Sequence, residues 1–173
     1  MRGRNKDKHF RVAGGRAFVA GTDIAQFRKF VDGNDGVAYE ATLDRFIDGL
    51  ERLRVPSIAV VEGFAVGAGL AIANACDVRI AASGAQFGVP IARALGNGLS
   101  ATNQHRLCSM LSVSWAKRML LLAEMSTAES LLPTGYMETV VQQEALDMEV
   151  ERFCNRLLEH APLTIAATRE TLL

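Results

Sequence analysis

The sequence has little of what marks several large classes of protein. Nineteen basic residues are balanced by nineteen acidic ones among 173 residues, so no broad positive field is available to hold nucleic acid or an anionic membrane surface. The longest wholly apolar runs, such as Met119–Ala123, fall far short of the roughly 20 residues that a transmembrane helix needs. We therefore expect no nucleic-acid partner and no membrane association.

Cysteine and histidine are also scarce, with three of each. Cys76, Cys108 and Cys154 are scattered through apolar helical patterns, and no spacing links them to a histidine. Cysteines used in this way are typical of a reduced compartment, where they act as small core residues. No charged-then-apolar signal segment opens the chain. The sequence therefore predicts a cytoplasmic protein without a metal site.

What the chain does have is enough apolar sequence for one domain, since 49% of its residues are hydrophobic and 22% are charged. Residues 1–13 differ from the rest because they are rich in Lys and Arg and offer almost nothing to bury. We expect this segment to be a basic tail, disordered or foreign to the main fold. A single domain is predicted over residues 14–173.

Hydrophobic periodicity predicts strands that alternate with helices. "AFVAGTDI" indicates a short strand, a turn and a helix start, and Val31–Gly36 is predicted to be a loop. An amphipathic helix should then end before Pro56, and "SIAVVEG" should form a buried strand. This alternation is typical of an α/β fold with mainly parallel strand pairing.

Two shorter segments follow later in the chain. "GAQFGVP" is predicted to be irregular chain after the extended run "DVRIAA". Ser126 and Glu129 have the spacing of a capping box, so Ser126 is predicted to begin a short helix that ends near Pro133.

The segment "EGFAVGAGLAIANACDVRIAA" places Gly67, Ala68 and Gly69 where a strand gives way to a helix. The first N–H groups of a helix have no partner within it, and the helix dipole adds partial positive charge there. Such an end suits an oxyanion or a polarised carbonyl. Small residues equally suit tight helix packing, so both interpretations remain open. A phosphate-binding P-loop is excluded because Leu70 and Ala71 follow the last glycine.

A second backbone donor is indicated earlier in the chain. Gly21 precedes another predicted helix start and leaves the Thr22 N–H available. Two separate amides, at Thr22 and Ala68, could therefore converge on one oxygen atom.

Three segments in this order, "GRAFVAGTDIAQF", "VPSIAVVEGFAVGAGLAIANACDVRIAA" and "AQFGVP", together resemble the crotonase family of enoyl-CoA hydratases and isomerases. The resemblance runs from about Gly14 to the C-terminus. It implies the ClpP/crotonase spiral of β-β-α units, here short of N-terminal strands and of C-terminal helices. It also implies assembly as a homo-oligomer, a trimer or hexamer.

The resemblance assigns roles to individual positions. Backbone N–H groups of Thr22 and Ala68 would form an oxyanion hole for an acyl-CoA thioester. No covalently bound cofactor is implied, because coenzyme A enters as part of the substrate. The positions expected to contact the substrate or its CoA moiety are Ala20, Asp23, Ile24, Gly67, Ala71 and Ile91.

Two departures from the family pattern bear on activity. Family hydratases carry glutamates where this chain has Ala71 and Ile91, and neither residue can give or take a proton. The first hypothesis is an enzyme of the enoyl-CoA hydratase or isomerase type, acting in fatty acid metabolism. The alternative is a non-catalytic acyl-CoA-binding or scaffold protein, and a third is a truncated product without a stable function.

Polar residues near these positions are candidate substitutes for the missing acid and base. Loop capping and surface solvation are favoured for each of them, and for Glu62 and Asp77 we favour hydrogen bonds to backbone groups at element ends. The candidate substitutes are Arg93, Asn97, Ser100, Asn103 and His105.

Overall fold

The computed structural model describes residues 8–10, 17–21, 30–91 and 99–172. Its described strands form two sheets, and helices pack against both. The strands are β1 (Lys8–Phe10), β2 (Ser57–Val61), β3 (Phe64–Val66), β4 (Val78–Ala82), β5 (Gln86–Gly88), β6 (Ser126–Thr127) and β7 (Thr139–Val141). The α-helices are α1 (Gly33–Glu51), α2 (Ala68–Ala75), α3 (Ala101–Leu111), α4 (Val113–Leu121), α5 (Ala128–Leu131), α6 (Leu146–Leu158) and α7 (Pro162–Leu172). Short 3₁₀ turns cover Leu132–Thr134 and Gln143–Ala145.

The first sheet has the strand order β1-β2-β4-β7, and its described pairs are parallel. The second has the order β3-β5-β6, with β3 and β5 parallel and β5 and β6 antiparallel. The chain therefore alternates between the sheets, because β2 leads into β3 and β4 leads into β5. This repeat of β-β units followed by helix α2 confirms the predicted α/β spiral with mainly parallel pairing.

The main core lies between the two sheets and helices α2 to α4. Strand β2 is buried along its whole length, as its apolar run predicts for a strand covered on both faces. A second cluster packs α6 on the outer face of β2 and β4, and a third packs α1 on α2 through Ile47, Leu50, Ala71 and Ala75. The third cluster fixes helix α2, whose first residue is Ala68.

The structure differs from the sequence prediction in the segment 1–13. Lys8–Phe10 forms a parallel edge strand beside Ser57–Ala59, so the expected basic tail is wrong at these three residues. A strand of three residues gives too short a pattern to be recognised from periodicity.

Three local predictions were also wrong. Helix α1 begins at Gly33, inside the predicted loop, because the Asp32 side chain accepts from the Asn34 N–H at 2.7 Å and completes a capping box with Asp35. "GAQFGVP" contains strand β5 instead of irregular chain. Ser126 lies in β6, and Thr127 caps α5 by accepting from the Ser130 N–H at 3.2 Å.

Candidate functional site

Two backbone segments cross at the start of helix α2. The Val66 N–H donates to the Val19 carbonyl oxygen at 3.0 Å, and Val19 and Ala65 form a parallel bridge. A Cβ atom on Gly69 would lie 2.0 Å from the same Val19 oxygen, a distance that no side chain can tolerate. Glycine at position 69 is therefore required for the first turn of α2 to lie against the chain at Val19.

The same crossing brings Gly21 beside Gly67. A Cβ atom on Gly67 would lie 4.0 Å from the Cα atom of Gly21. Both glycines have positive φ values, 107° at Gly21 and 57° at Gly67, which L-residues rarely adopt. The chain positions immediately before Thr22 and Ala68 are thus neighbours in space, although 46 positions separate them in sequence.

The N-terminus of α2 offers bare backbone. Its N-cap is Gly67, which has no side chain to cap the helix, and the Gly67 N–H is fixed by the Gly88 carbonyl oxygen at 3.0 Å. Ala71 is the first residue to return a hydrogen bond into the helix, from its N–H to the Gly67 oxygen at 3.1 Å. Among the residues that the structure describes, none accepts a hydrogen bond from the N–H of half-buried Ala68. The arrangement can accept a carbonyl oxygen or an anion at the positive end of the helix dipole.

The other predicted contact positions fall into three groups. Ala20 is exposed beside this crossing, and Gly67 is half-buried within it. Ala71 instead packs in the interface between α1 and α2, where it is 3% exposed. The predictions for Thr22, Asp23 and Ile24 lie outside the described residues.

Ile91 borders a largely apolar cavity of about 340 Å³ that lies between β5 and helices α3 and α4. Val89 and Leu99 line it beside Ile91, and Gln104 and Lys117 contribute its polar lining. The cavity therefore begins next to the position where the resemblance places a glutamate. Its lining is suited to an aliphatic group.

The candidate polar substitutes are those predicted to lie near Ala71 and Ile91. Ser100 is the N-cap of α3, since its hydroxyl accepts from the Asn103 N–H at 3.2 Å and donates to Asp44 at 2.7 Å. The Asn103 amide also donates to Asp44, at 2.8 Å. These bonds tie α3 to α1, and His105 is exposed on α3. The predictions for Arg93 and Asn97 lie outside the described residues.

The prediction for Glu62 and Asp77 is that they hydrogen-bond backbone groups at element ends. Asp77 accepts from the Ser57 N–H at 2.7 Å and from Arg169 at 2.7 Å, which links the starts of β2 and β4 to α7. Buried Glu62 accepts from the Gln143 side chain at 3.2 Å. Burial raises the pKa of the Cys76 thiol to about 11, which keeps it protonated and makes it a poor nucleophile.

Sequence reasoning missed Arg79, which is 7% exposed in strand β4. Its guanidinium hydrogen-bonds carbonyl oxygens at the C-terminal end of α2. The available signal was an arginine in the middle of the apolar run "DVRIAA". Such a residue must find buried acceptors, because an unpaired charge in a core is costly.

Two other kinds of site are absent from the described ranges. No cluster of three or more His, Cys, Asp or Glu side chains there could hold a metal ion. No helix among the described residues has the length and apolar character needed to cross a bilayer.

Solved structures similar to this chain define the class of protein to which it belongs. An enoyl-CoA hydratase/carnithine racemase from Magnetospirillum magneticum superposes with a TM-score of 0.89 at 27% identity, covering 95% of this chain and 61% of that one. Pseudomonas aeruginosa DspI superposes with a TM-score of 0.88 at 29% identity, covering 96% of this chain and 68% of that one. The fold is therefore that of the crotonase-like α/β proteins.

Sequence comparison identifies the family directly. The sequence model described as "Enoyl-CoA hydratase/isomerase" matches residues 5–173. The short-chain-enoyl-CoA hydratase of Clostridium acetobutylicum is 30% identical over 161 residues, and the crotonyl-CoA hydratase of Syntrophomonas wolfei is 33% identical over 158. The chain belongs to the enoyl-CoA hydratase/isomerase family, as its motifs indicated. It spans 60% of the length of each of these two relatives, which in turn match 92% and 91% of this chain.

Proposed function

We propose that this chain binds an acyl-CoA thioester and stabilises its enolate at the start of helix α2. The N–H groups of Ala68 and Thr22 would donate to the thioester oxygen, the second of them on the family resemblance. Negative charge develops on that oxygen when a proton leaves the neighbouring carbon. A fixed amide donor at such a site typically contributes about 3–4 kcal/mol to transition-state stabilisation.

The observation that carries this proposal is the close approach of Gly21 to Gly67. A Cβ atom on Gly67 would lie 4.0 Å from the Gly21 Cα atom. The two residues that follow these glycines are the two proposed donors. Family membership supports the same function, because the matching family is described by enoyl-CoA hydration and isomerisation.

The ligand's acyl group would extend toward the apolar cavity that Ile91 borders. The names of the relatives from Clostridium and Syntrophomonas support a short acyl chain. We further propose that the chain acts in the cytoplasm in fatty acid metabolism, and that it assembles as a trimer or hexamer. Its even charge balance and scattered cysteines support the cytoplasmic setting.

The alternative function is acyl-CoA binding without catalysis. Neither Ala71 nor Ile91 carries an ionisable group, and a general acid or base commonly contributes 10²–10⁴-fold, an order-of-magnitude range, to a rate. The Ser100 hydroxyl already caps α3 and donates a hydrogen bond to Asp44. Both observations favour a weak catalyst or a binding protein over a hydratase that uses the usual glutamate pair.

A proline substitution at Ala68 tests the proposed donor directly. Ala68 is the first residue of α2, a position at which proline is well tolerated because its missing N–H has no helical partner. Ala68→Pro should therefore fold while removing one amide donor. We expect binding of butyryl-CoA, measured by calorimetry, to weaken by about tenfold in Ala68→Pro, because one hydrogen bond to a neutral carbonyl oxygen contributes about 1 kcal/mol.

Ala68→Gly is the matched control, because it shortens the side chain and keeps the N–H. It should bind butyryl-CoA within about threefold of the unsubstituted chain, an allowance for side-chain loss of under 1 kcal/mol. Equal affinities for Ala68→Pro and Ala68→Gly, with both variants folded, would contradict the proposal. Turnover of crotonyl-CoA then separates the two functions: hydration favours the enzyme, and binding without turnover favours the non-catalytic alternative.

A further inference from the structure

Helix α2 is held at the end opposite the proposed oxyanion site by one buried arginine. The helix, Ala68–Ala75, has the sequence "AGLAIANA" and carries no charged side chain. Two of its last carbonyl groups, those of Ala73 and Cys76, accept hydrogen bonds from Arg79 at 3.2 and 2.7 Å. Helix ends need such partners for their unpaired carbonyl groups.

Arg79 is bound by neutral groups alone in the part of the chain that the structure describes. Its Nε atom donates to the Tyr136 carbonyl oxygen at 2.7 Å, and its guanidinium carbon lies 4.8 Å from the centre of the Tyr136 ring. No described carboxylate forms an ion pair with it, and the residue is 7% exposed. A positive charge that is buried without an ion-pair partner is costly, so its neutral hydrogen-bond acceptors and the Tyr136 ring must stabilise it.

Tyr136 also holds the same helix through its phenol. Its hydroxyl donates to the Asn74 side-chain oxygen at 2.6 Å, and Asn74 lies in the last turn of α2. Burial raises the pKa of Tyr136, so the phenol remains a neutral donor. Arg79 and Tyr136 thus fix the end of α2 through both its carbonyl groups and one of its side chains.

A change at the Arg79 end of α2 affects both the position of the Ala68 N–H and the electrostatic potential there. Eight residues span about 12 Å, so a tilt at the Arg79 end would move the Ala68 N–H. The Arg79 charge also adds directly to the positive potential at the N-terminal end, because Coulomb interactions extend over this distance inside a protein.

We propose that Arg79 is a positioning residue for the oxyanion site: its contacts aim the Ala68 N–H, and its buried charge strengthens the field along α2. This inference rests on the proposed function. It concerns stabilisation of the enolate more than binding of the neutral thioester. Arg79 touches neither the proposed ligand atom nor the Ala68 amide.

Acetoacetyl-CoA is the probe that separates the two effects, because it ionises to an enolate that absorbs in the near ultraviolet. The pKa of the bound compound reports stabilisation of the enolate, whose negative charge is shared between the thioester oxygen and the ketone oxygen, and its measurement requires no catalytic acid or base. We expect the unsubstituted chain to lower that pKa below its value in water. In Arg79→Met the bound pKa should rise by about one unit, equivalent to a tenfold loss of enolate affinity, while affinity for neutral butyryl-CoA changes less than about threefold.

Arg156→Met is the matched control. Arg156 also lies over an aromatic ring, 5.2 Å from the centre of Phe153, but belongs to α6. We expect no change of the bound pKa in this variant. Arg79→Lys keeps the charge but loses the fork of donors, so its bound pKa should lie between those of the unsubstituted chain and Arg79→Met.

The outcomes distinguish this inference from the function on which it rests. If the unsubstituted chain does not bind acetoacetyl-CoA, or binds it without lowering its pKa, the proposed function fails and the inference with it. If the unsubstituted chain lowers the pKa and folded Arg79→Met lowers it equally, only the inference fails. Should Arg79→Met not fold, an unchanged bound pKa in folded Arg79→Lys overturns the inference in the same way.

Discussion

A Cβ atom at position 69 would prevent the proposed site from forming. The Gly69 backbone lies so close to Val19 that an added Cβ atom would be 2.9 Å from the Val19 Cβ and 2.0 Å from its carbonyl oxygen. The obstruction is backbone, which cannot rotate away as a flexible side chain could. Any side chain at position 69 must therefore push α2 away from the segment that leads to Thr22.

We expect Gly69→Ala to lower the free energy of unfolding by about 3 kcal/mol and to abolish measurable butyryl-CoA binding. Gly49→Ala is the control: Gly49 is exposed in α1, and an added Cβ atom would meet nothing within 4 Å. The free energy of unfolding of Gly49→Ala should be about 1 kcal/mol higher than that of the unsubstituted chain, because alanine has the higher helix propensity. Urea unfolding of both variants measures the difference, and a Gly69→Ala protein as stable as the unsubstituted chain would contradict the geometry.

Helices α1 and α3 are joined by polar contacts beside the core. Arg106 on α3 pairs with Glu51 at 2.7 Å and with Asp48, and Ser100 contacts Asp44. Glu40, one turn earlier on α1, accepts from the Ser100 N–H at 3.2 Å. Burial, with a smaller contribution from the Asp44 charge, raises the pKa of Glu40 above its ordinary value of 4.5, although the Ser100 hydrogen bond opposes the rise.

This raised pKa predicts how stability changes with pH. A carboxyl group whose pKa is higher in the folded state stabilises the fold. This contribution is fully present at pH values below the pKa of the unfolded state, and it is lost as pH rises through the pKa of the folded state. We expect Glu40→Gln to have a higher Tm than the unsubstituted chain at pH 7. The difference should vanish as pH falls toward 4.5.

Glu129 gives the comparison of opposite sign. Hydrogen bonds, first from the Gly84 N–H at 2.8 Å and also from the Ser83 hydroxyl at 2.8 Å, lower its pKa. The contribution of Glu129 to stability is therefore present at pH values above its pKa in the unfolded state, and it is lost as pH falls through its pKa in the folded state. Glu129→Gln should have a lower Tm at pH 7, and a shift of the same sign in both variants would contradict the assignment.

The final helix depends on one arginine for its position on the rest of the protein. Helix α7 has no fully buried residue, yet Arg169 donates to Asp77 at 2.7 Å and to the Glu51 carbonyl oxygen at 3.1 Å. These two bonds connect α7 with the C-terminal end of α1 and the start of β4. The helix is thus attached by these polar contacts, and its apolar residues Ile165 and Ala166 are only half-buried.

We expect Arg169→Ala to speed hydrogen exchange of the α7 amides by about tenfold, because hydrogen bonds to charged groups contribute about 1.5–3 kcal/mol. Exchange in β2 and β4 should stay the same. Arg152→Ala removes an ion pair with Glu149 that lies within α6, and it should leave α7 unchanged. Equal acceleration of α7 in both variants would show that Arg169 does not hold the helix.

Local patterns in the sequence were sufficient for much of the fold. The apolar run of β2, the proline that follows α1 and the small residues before α2 each predicted an element that the structure contains. Strand β5 was missed because Gln86–Gly88 is too short to show alternation, and it is stabilised by β6, about 40 positions away. The helix start at Gly33 was missed because Gly33 and Gly36 are typical of a loop, although Asp32 and Asp35 form a capping box there.

The candidate site was predictable only in part for the same reason. The small residues at 67–69 and the glycine at 21 were visible in sequence, whereas the contact between Gly69 and Val19 depends on tertiary packing. Arg79 could not be assigned a role because its partner Tyr136 lies 57 positions later. The packing of Ala71 on α1 was missed because it depends on which face of α2 each helix covers.

The most direct test is a crystal structure of this chain with acetoacetyl-CoA bound. We expect the thioester oxygen to lie about 2.7–3.1 Å from the backbone nitrogens of both Ala68 and Thr22, the range for an oxyanion-hole donor. A thioester oxygen more than about 4 Å from the Ala68 nitrogen, beyond hydrogen-bond reach, would contradict the proposed function even if the CoA moiety were bound.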